Sequence, residues 1–428
     1  MRFRAQVFDQ LQLLYDLTGF NDHQLHCVLR FDSGPDAGIL RKAVIASIEA
    51  IPILGTRYVE KGRRPHWESL DRTRYADAFT LARTEAEFDR FVTARIDERV
   101  GPQVGVCLLS SSRPGVALTM NHMVADAAGF KEYLYLLCEI YGGILADPAY
   151  RPAIIDGERS LRPILKRFSA GVKLKSLVSQ GGENNRPSDH RFPLDGSEDP
   201  KPFIATRTLP RKSFEAIRDY SRTSGATLND ATLAAFYRCL FRKLDVSPGA
   251  ELQIPVMVDM RRYLPAPVTF AALTNHSSTV ITRLTYRPEE SFASTLERVK
   301  AVMDEKKGGD IGLNVFIKLG LAYGLFPGRT ANRLVRASLK NPLISMTNVG
   351  VLDAGRMSFG DARPCDAFMC GSIKYKPHFQ LAMSSYDGEL TLHSNLYGDA
   401  TDKARVLSFL EDVERELSAP AGGREETP

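Results

Sequence analysis

The stretch GVALTMNHMVADAAGFKEYLYLLCEIYGG, residues 115–143, changes from the period of a strand to that of a helix. Its apolar residues first alternate and then recur at helical spacing: Val116, Leu118 and Met120, followed by Phe130, Leu134, Leu137 and Tyr141. His122 and Asp126 lie at the junction between the two patterns. An imidazole suits base catalysis there, because an unperturbed pKa of roughly 6.5 leaves it largely neutral at pH 7. The carboxylate can cap the helix or pair with a distant arginine.

The His-x-x-x-Asp spacing is unspecific by itself, because a chain with eight histidines can contain it by chance. In the alternative interpretation, His122 is a packed loop residue and Asp126 is only an N-cap. The rest of the chain has to decide between these two interpretations.

Length and composition limit the class of protein. A chain of 428 residues favours two domains of about 200 residues each. A composition of 43% hydrophobic and 25% charged residues is typical of a soluble globular protein. The net charge of +5 does not indicate a nucleic-acid binder, although it is compatible with an anionic ligand such as a nucleotide-bearing cofactor.

The cysteines and the apolar segments indicate the cellular compartment in which the protein is found. Six scattered cysteines show neither a disulfide framework nor a complete zinc pattern, which favours a reducing compartment and predicts a cytoplasmic protein. The first residues lack the apolar run of a signal peptide. Because no stretch of 18 uncharged apolar residues occurs, we expect no membrane span.

The pattern of strands and helices predicts two α/β halves. We expect an N-terminal subdomain over 1–150, a proline-rich crossover linker over 151–202, a C-terminal subdomain over 203–418 and a disordered tail over 419–428. Within the linker, LRPILKRFSAGVKLKSL (161–177) is basic and amphipathic, which is typical of a solvated helix or of one that contacts a membrane surface or phosphate. Asp387-Gly388 predicts a hairpin turn near the end of the chain.

Several catalytic motifs are absent from the sequence: G-x-S-x-G, G-x-x-x-x-G-K-[ST], G-x-G-x-x-G and H-E-x-x-H. Their absence lowers the case for a serine hydrolase, a P-loop enzyme, a dinucleotide-binding enzyme or a zincin. Direct nucleophilic catalysis by a cysteine stays an open alternative. A histidine that acts on a nucleophile of the substrate remains, and two halves of similar size favour a ligand site between them.

The ordered motifs of the chain resemble the condensation-domain superfamily of thioester-dependent acyltransferases. This superfamily includes nonribosomal-peptide condensation domains, polyketide-associated acyltransferases, wax ester synthases, plant BAHD enzymes and chloramphenicol acetyltransferase. The resemblance covers nearly the whole chain: His122 and Asp126 with the apolar helix from Gly129; LRKAVIASIEAIPILGTRY with Pro52, Leu54 and Arg57; GATLNDATLAAF with Thr227, Asn229 and Asp230; IPVMVDMRRYLP with Arg261; LTNHSS with Asn275; ISMTNVG with Ser345, Asn348 and Gly350; and SSYDGEL.

This resemblance implies an α/β fold of two chloramphenicol-acetyltransferase-like subdomains in a V, with the active-site tunnel between them. It implies that His122 is the general base and that Asp126 is structural, paired with Arg261. The oxyanion donors or substrate contacts would come from backbone amides after Asp126, including that of Gly129, and from the side chains of Ser345, Asn348 and Ser384. His276 is a weaker alternative base.

The same resemblance implies the reaction partners. The co-substrate would be acyl-coenzyme A or a phosphopantetheinyl carrier thioester, and the acceptor a small molecule with a hydroxyl or amine. No metal and no permanently bound cofactor are expected, and a monomer suffices. The apolar segment 313–326 is compatible with an acyl tunnel and equally with core packing.

Two residues depart from the pattern of the superfamily. Many members have a second histidine directly before the catalytic one, where this chain has Asn121, and many have glycine after the aspartate, where it has Ala127. These departures favour a stand-alone bacterial alcohol or amine acyltransferase. Two alternatives remain open: an amide-forming, nonribosomal-peptide-type condensation enzyme, and a non-catalytic binding or docking protein.

Overall fold

The computed structural model of the protein describes residues 1–61, 64–178, 189–196, 198–265, 270–308 and 312–422. The first half contains β1 (Arg2–Arg4), α1 (Val7–Leu17), β2 (Gln24–Phe31), α2 (Ala37–Ala50), β3 (Thr56–Val59), β4 (His66–Ser69), β5 (Phe79–Ala82), α3 (Glu85–Val92), β6 (Val104–Leu109), β7 (Gly115–Asn121), α4 (Ala127–Ala146), α5 (Arg162–Leu165) and α6 (Ala170–Val178). The predicted change from strand to helix over 115–143 is therefore confirmed.

The second half contains β8 (Lys201–Leu209), α7 (Arg211–Thr223), α8 (Leu228–Lys243), β9 (Glu251–Asp259), β10 (Ser277–Thr285), α9 (Phe292–Lys307), α10 (Leu313–Leu325), α11 (Gly328–Ser338), β11 (Ile344–Leu352), β12 (Pro364–Cys370), β13 (Phe379–Tyr386), β14 (Glu389–Gly398) and α12 (Ala400–Gly422). β13 and β14 pair antiparallel from Tyr386↔Glu389, so the predicted hairpin at Asp387-Gly388 is confirmed. Asp387 and Gly388 both have positive φ, as such a tight turn requires.

Two large sheets organise the chain, and the predicted α/β class is confirmed. The order of strands is β12-β2-β7-β6-β5 in a five-stranded sheet and β10-β9-β11-β13-β14-β8 in a six-stranded sheet, and β1, β4 and β3 form a small third sheet. β7 lies at the centre of the five-stranded sheet, and all of its residues are buried. The end of β7, where His122 follows, is therefore held on both sides by β2 and β6.

Each large sheet has its own apolar core. α2 and α4 pack against each other on the five-stranded sheet, with Leu40, Val44 and Phe130 fully buried. α8 and α12 cover the six-stranded sheet, with Phe236 and Phe409 fully buried. A third cluster joins elements from both halves, where Phe8 of α1 packs on Phe316 of α10 with ring centroids 5.0 Å apart. Core packing thus accounts for the buried side of 313–326.

β12 departs from the predicted order of subdomains. Although it comes late in the chain, it pairs antiparallel with β2 and completes the edge of the first sheet. The boundaries at residues 150 and 202 stay predictions, but 364–370 does not follow the division of the chain into two halves.

The predicted disordered tail, 419–428, is corrected in its first four residues. α12 continues to Gly422, because the apolar face of this helix packs on the second core through Val413 and Leu417. Residues 423–428 lie outside the described residues. Within the described ranges, no helix combines the length and the apolar character that crossing a bilayer requires.

Candidate active site

His122 lies one residue beyond β7. Its backbone N–H donates to the carbonyl of His23 at 2.8 Å, which extends the pairing of β7 with β2. Its Nδ1 lies 2.8 Å from the carbonyl oxygen of Ala125. Because a carbonyl can only accept, Nδ1 carries the proton and Nε2 keeps its lone pair. The loop thus fixes the tautomer that a general base needs.

The surroundings of His122 favour its neutral form. Burial lowers the pKa of this histidine from the ordinary value of 6.5; Asp126 opposes the shift, and the positive charge of Lys374 adds to it. The net direction is downward because desolvation penalises the imidazolium most. The imidazole is therefore neutral at pH 7 and able to accept a proton.

Two asparagines fix the backbone around His122. Asn121 accepts from the N–H of Met123 at 2.9 Å and donates to Gln103 Oε1 at 2.8 Å. Asn275, from the second half of the chain, donates its Nδ2 to the carbonyls of His122 at 2.5 Å and Met123 at 3.3 Å. Asn121, which stands where many superfamily members have histidine, is thus a buried loop-holding residue.

Asp126 occupies a buried site in which both carboxylate oxygens are satisfied. Oδ1 accepts from the N–H of Gly129 at 3.0 Å and Oδ2 from the N–H of His276 at 2.7 Å. Arg261 contacts both oxygens, with Nη2 at 2.9 Å from Oδ1 and Nη1 at 2.8 Å from Oδ2. A further donor is Ser277 Oγ, 3.2 Å from Oδ2. The structure therefore brings Asp126 and Arg261 together across 135 residues of sequence.

The charge on Asp126 is stabilised by these contacts. Burial alone would raise its pKa, but the Arg261 guanidinium and the backbone donors outweigh burial and hold the pKa at about 2. Arg261 is itself held by the carbonyl and hydroxyl of Thr274, at 3.1 and 2.8 Å. A permanently ionised carboxylate with no free lone pair is suited to holding structure and not to moving protons.

Among the predicted oxyanion donors, Gly129 and Asn348 are placed unfavourably. The N–H of Gly129 is already used by Asp126, so it is not free for an oxyanion. Asn348 is exposed, and its Oδ1 accepts from the N–H of Gly350 at 2.8 Å at a β-bulge in β11. Gly350 has a φ of 87°, a conformation that glycine adopts readily, which explains why glycine is found at this bulge. Asn348 therefore has the geometry of a bulge residue.

Ser345 and Ser384 are buried on the neighbouring parallel strands β11 and β13. Ser345 Oγ accepts from Gln380 Nε2 at 3.2 Å, and Ser384 Oγ accepts from the N–H of Met369 at 3.3 Å. Each hydroxyl accepts one hydrogen bond in these contacts, and its own proton can still be donated. The hydroxyl protons of these two serines are therefore not used in these contacts.

His276 has no free nitrogen for catalysis. Its Nε2 lies 3.3 Å from the carbonyl oxygen of Ser160 and its Nδ1 3.4 Å from Thr274 Oγ1. Burial and the neighbouring Arg261 lower the pKa of this histidine to about 4. Its contribution to the site is the backbone N–H that binds Asp126.

Lys374 is a residue near His122 that the sequence analysis did not single out. The side chain is only 4% exposed, and its Nζ lies 4.1 Å from the centroid of the Phe20 ring. Two backbone pairings place it beside the site: His122 binds His23, and Asp22 binds Ile373, the residue before Lys374. Among the described residues no carboxylate forms an ion pair with this ammonium. Burial lowers its pKa to about 7, and Asp22 opposes the shift.

A cleft opens on the Arg261 side of the site. Its volume is about 760 Å³, and its lining includes Lys131, Arg261, Arg262 and His276. His122 is not among its described lining residues, so this cleft borders the Arg261 side of the Asp126 cluster.

Known structures share this architecture. The chain superposes on the first condensation domain of the calcium-dependent antibiotic synthetase, bound to a substrate analogue, with a TM-score of 0.72 and 18% identity, covering 100% of this chain and 98% of that one. The chain has the fold of the condensation-domain superfamily. No protein-family profile and no curated protein sequence matches it.

Two further structures with the condensation-domain fold carry different names. Trichothecene 15-O-acetyltransferase from Fusarium sporotrichioides is similar with a TM-score of 0.70 and 12% identity, over 97% of this chain and 95% of that one. The epimerization domain from the third module of tyrocidine synthetase B is similar with a TM-score of 0.68 and 13% identity, over 99% of each chain. Because one fold serves several reactions, the activity has to be argued from the site.

Proposed function

We propose that the protein transfers an acyl group from a coenzyme A or carrier-protein thioester to a hydroxyl or amine acceptor, with His122 as general base. The observation that carries this proposal is the hydrogen bond from His122 Nδ1 to the Ala125 carbonyl, which leaves Nε2 free. The condensation-domain fold, in which acetyltransfer and condensation both occur among similar structures by name, supports the same class of reaction.

The proposed step is balanced without any further reactant. The acceptor oxygen or nitrogen attacks the thioester carbonyl while its proton passes to Nε2 of His122. The tetrahedral intermediate then collapses, the carbon–sulfur bond breaks, and the imidazolium returns the proton to the leaving thiolate. Products are an ester or amide and a free thiol, so thiol release reports each turnover.

The oxyanion of this intermediate needs donors that are not already committed. Gly129 is excluded by its bond to Asp126, and Asn348 by its exposure. Ser345 and Ser384 remain in the proposal as hydrogen-bond donors to substrate, because their hydroxyl protons are available. Asp126 and Arg261 take no proton and position the loop that carries His122.

The test is thiol release from acyl-coenzyme A donors of increasing chain length, with a pool of alcohols and amines as acceptors. His122→Ala should lose release and retain its fold, measured by circular dichroism. His276→Ala is the matched control, because this histidine also lies beside Asp126, is 4% exposed and has both ring nitrogens engaged in the structure.

The donor is decided by a second arm of the same experiment. If acyl-coenzyme A gives no release, the assay is repeated with acyl groups loaded on a phosphopantetheinyl carrier protein. Release with the carrier alone identifies a condensation-type enzyme. Release that persists in His122→Ala would reject the general-base proposal, and no release from either donor would favour a non-catalytic protein.

A further inference from the structure

Two segments of the chain are basic and contain no acidic residue. Residues 161–178 and 312–340 together hold ten lysines and arginines and no aspartate or glutamate. The whole chain has a net charge of +5, so everything outside these segments is net acidic. An ordinary solvated surface carries positive and negative side chains side by side, so two basic segments without any acidic residue are unusual.

The fold brings these two segments together. α6 packs against α10, and α10 packs against α11. Phe316 and Leu319 of α10 and Val335 of α11 point into the third apolar cluster, which anchors the helices to α1. Residues from distant parts of the sequence thus form one surface, which we call the basic helical face.

Large apolar side chains are exposed on the basic helical face. On α10 the exposed positions Lys318, Leu321 and Leu325 follow helical spacing, so cation and leucines share one side of the helix. The remaining exposed apolar residues of this face are Leu174 on α6, Phe326 after α10 and Leu334 on α11. Together with Leu321 and Leu325, they are five of the twelve exposed large apolar residues in the described part of the chain.

The cations of this face are free to meet an external anion. Among the described residues, no carboxylate forms an ion pair with the following side chains: Lys166, Arg167, Lys173, Lys175, Lys318, Arg329, Arg333 and Lys340. Arg336 contacts only the backbone carbonyl of Leu17, at 3.4 Å. The positive charge of the face is therefore not neutralised within the described part of the protein.

We propose that the basic helical face docks the protein on the surface of an anionic lipid bilayer. Leucine and phenylalanine side chains enter the boundary between headgroups and acyl chains, while the surrounding lysines and arginines bind lipid phosphates. A bilayer satisfies both requirements at once, because it offers a continuous negative surface over an apolar layer. The proposal goes beyond acyl transfer and does not depend on it.

The helices lie on the surface and do not cross the membrane. The face is held to the protein by buried residues such as Phe316, and its helices are short, with α10 spanning 13 residues. Each basic residue near an anionic surface contributes roughly 1 kcal/mol of attraction, which salt screens. Binding should therefore require anionic lipid and weaken as salt rises.

The experiment is vesicle flotation with purified full-length His122→Ala protein, so that catalysis plays no part. Vesicles of phosphatidylcholine alone are compared with vesicles that also contain phosphatidylglycerol, at low and at high salt. The expected result is binding to the anionic vesicles only, lost at high salt. Absence of binding to anionic vesicles at low salt overturns the proposal.

Two pairs of variants locate the contact. Leu321→Glu/Leu325→Glu changes residues 43% and 73% exposed, and Leu81→Glu/Ile154→Glu is a matched control at residues 44% and 68% exposed elsewhere. The first pair should reduce binding at least about tenfold, and the control should not. An equal loss in both pairs, or in neither, rejects this face as the docking surface.

Charge reversal tests whether the lysines and arginines of the basic helical face bind lipid phosphates. Arg329→Glu/Arg333→Glu on α11 should abolish binding to anionic vesicles, whereas Lys212→Glu/Arg218→Glu on α7 should leave it nearly unchanged. Thiol release with water-soluble acceptors should stay at the parental level in all four variants made in the active protein. A protein that ignores vesicles but binds an acidic carrier protein through Arg329 and Arg333 would identify a protein partner and overturn the lipid assignment.

Discussion

The Asp126 site and the His122 site lie four residues apart and are built in opposite ways. Asp126 is a buried carboxylate whose oxygens accept from an arginine, two backbone amides and a serine hydroxyl. His122 has one nitrogen fixed by a carbonyl and the other without a hydrogen-bond partner among the described residues, and the charge of Lys374 is nearby. Asp126 is therefore suited to holding the loop in place, and His122 is suited to reacting as a base. Both depend on the same four-residue turn.

We expect the largest effect from His122→Ala, which tests whether His122 acts as a base and not as a packing residue. Removing a general base typically costs a factor of about 10² to 10⁴ in rate. We expect kcat/KM for thiol release to fall by this amount while the free energy of unfolding changes little. A variant that loses its fold along with its activity would mean that His122 is mainly a packing residue.

Asp126→Asn should have the complementary effect, on stability first. It removes the buried anion that faces Arg261 and leaves the guanidinium paired with the more exposed Asp259, 3.1 Å from Nη1. Breaking a buried pair costs about 3–5 kcal/mol. Urea unfolding measures the loss. Asp219→Asn, at the exposed pair with Arg222, is the control and should change the free energy of unfolding by less than about 1 kcal/mol. Similar values for the two variants would contradict a structural role for Asp126.

Lys374→Met tests the electrostatic environment of His122 through the pH dependence of kcat/KM. The base must be neutral, so the rate falls as pH drops through the pKa of His122, and the charge of Lys374 lowers that pKa. Removing the charge should raise it, so the acid limb of the kcat/KM profile should move to higher pH. Lys300→Met, at a partly exposed lysine paired with Asp304, should leave the profile in place. A shift toward lower pH would contradict the assigned electrostatics.

Asn348→Ala should have the smallest effect. The side chain is exposed and binds only the N–H of Gly350, so the free energy of unfolding should change by about 0.5 kcal/mol or less. We expect kcat/KM to stay within about twofold of the parent protein. A loss close to that of His122→Ala would restore Asn348 as a substrate-binding residue.

Local sequence pattern was sufficient where an element is defined by its own periodicity. Asp36 is the N-cap of helix α2, where its side chain accepts from the N–H of Ile39 at 2.8 Å, and the helix ends at Ala50, two residues before Pro52. The strand-to-helix change at His122 and the Asp-Gly hairpin are of the same kind. In each case the signal and the structure lie within a few residues of one another.

The local sequence pattern was not sufficient to predict contacts between residues that are far apart in the chain. The pairing of Asp126 with Arg261 was predicted from a family resemblance, because no periodicity connects positions 135 apart. Lys374 was missed because a lysine in a sequence normally indicates a solvated charge, and its burial depends on packing against Phe20, which is distant in the chain. The exposure of Asn348 comes from a bulge that shifts the register of β11 by one residue.

The late position of β12 has a consequence for biosynthesis. Until residues 364–370 have left the ribosome, β2 is an open edge whose backbone groups await a partner. The first half of the chain therefore emerges with a sheet that it cannot complete by itself, and an open edge of this kind promotes association between nascent chains. A fragment that ends before β12 keeps this edge unpaired and is therefore a poor unit for expression.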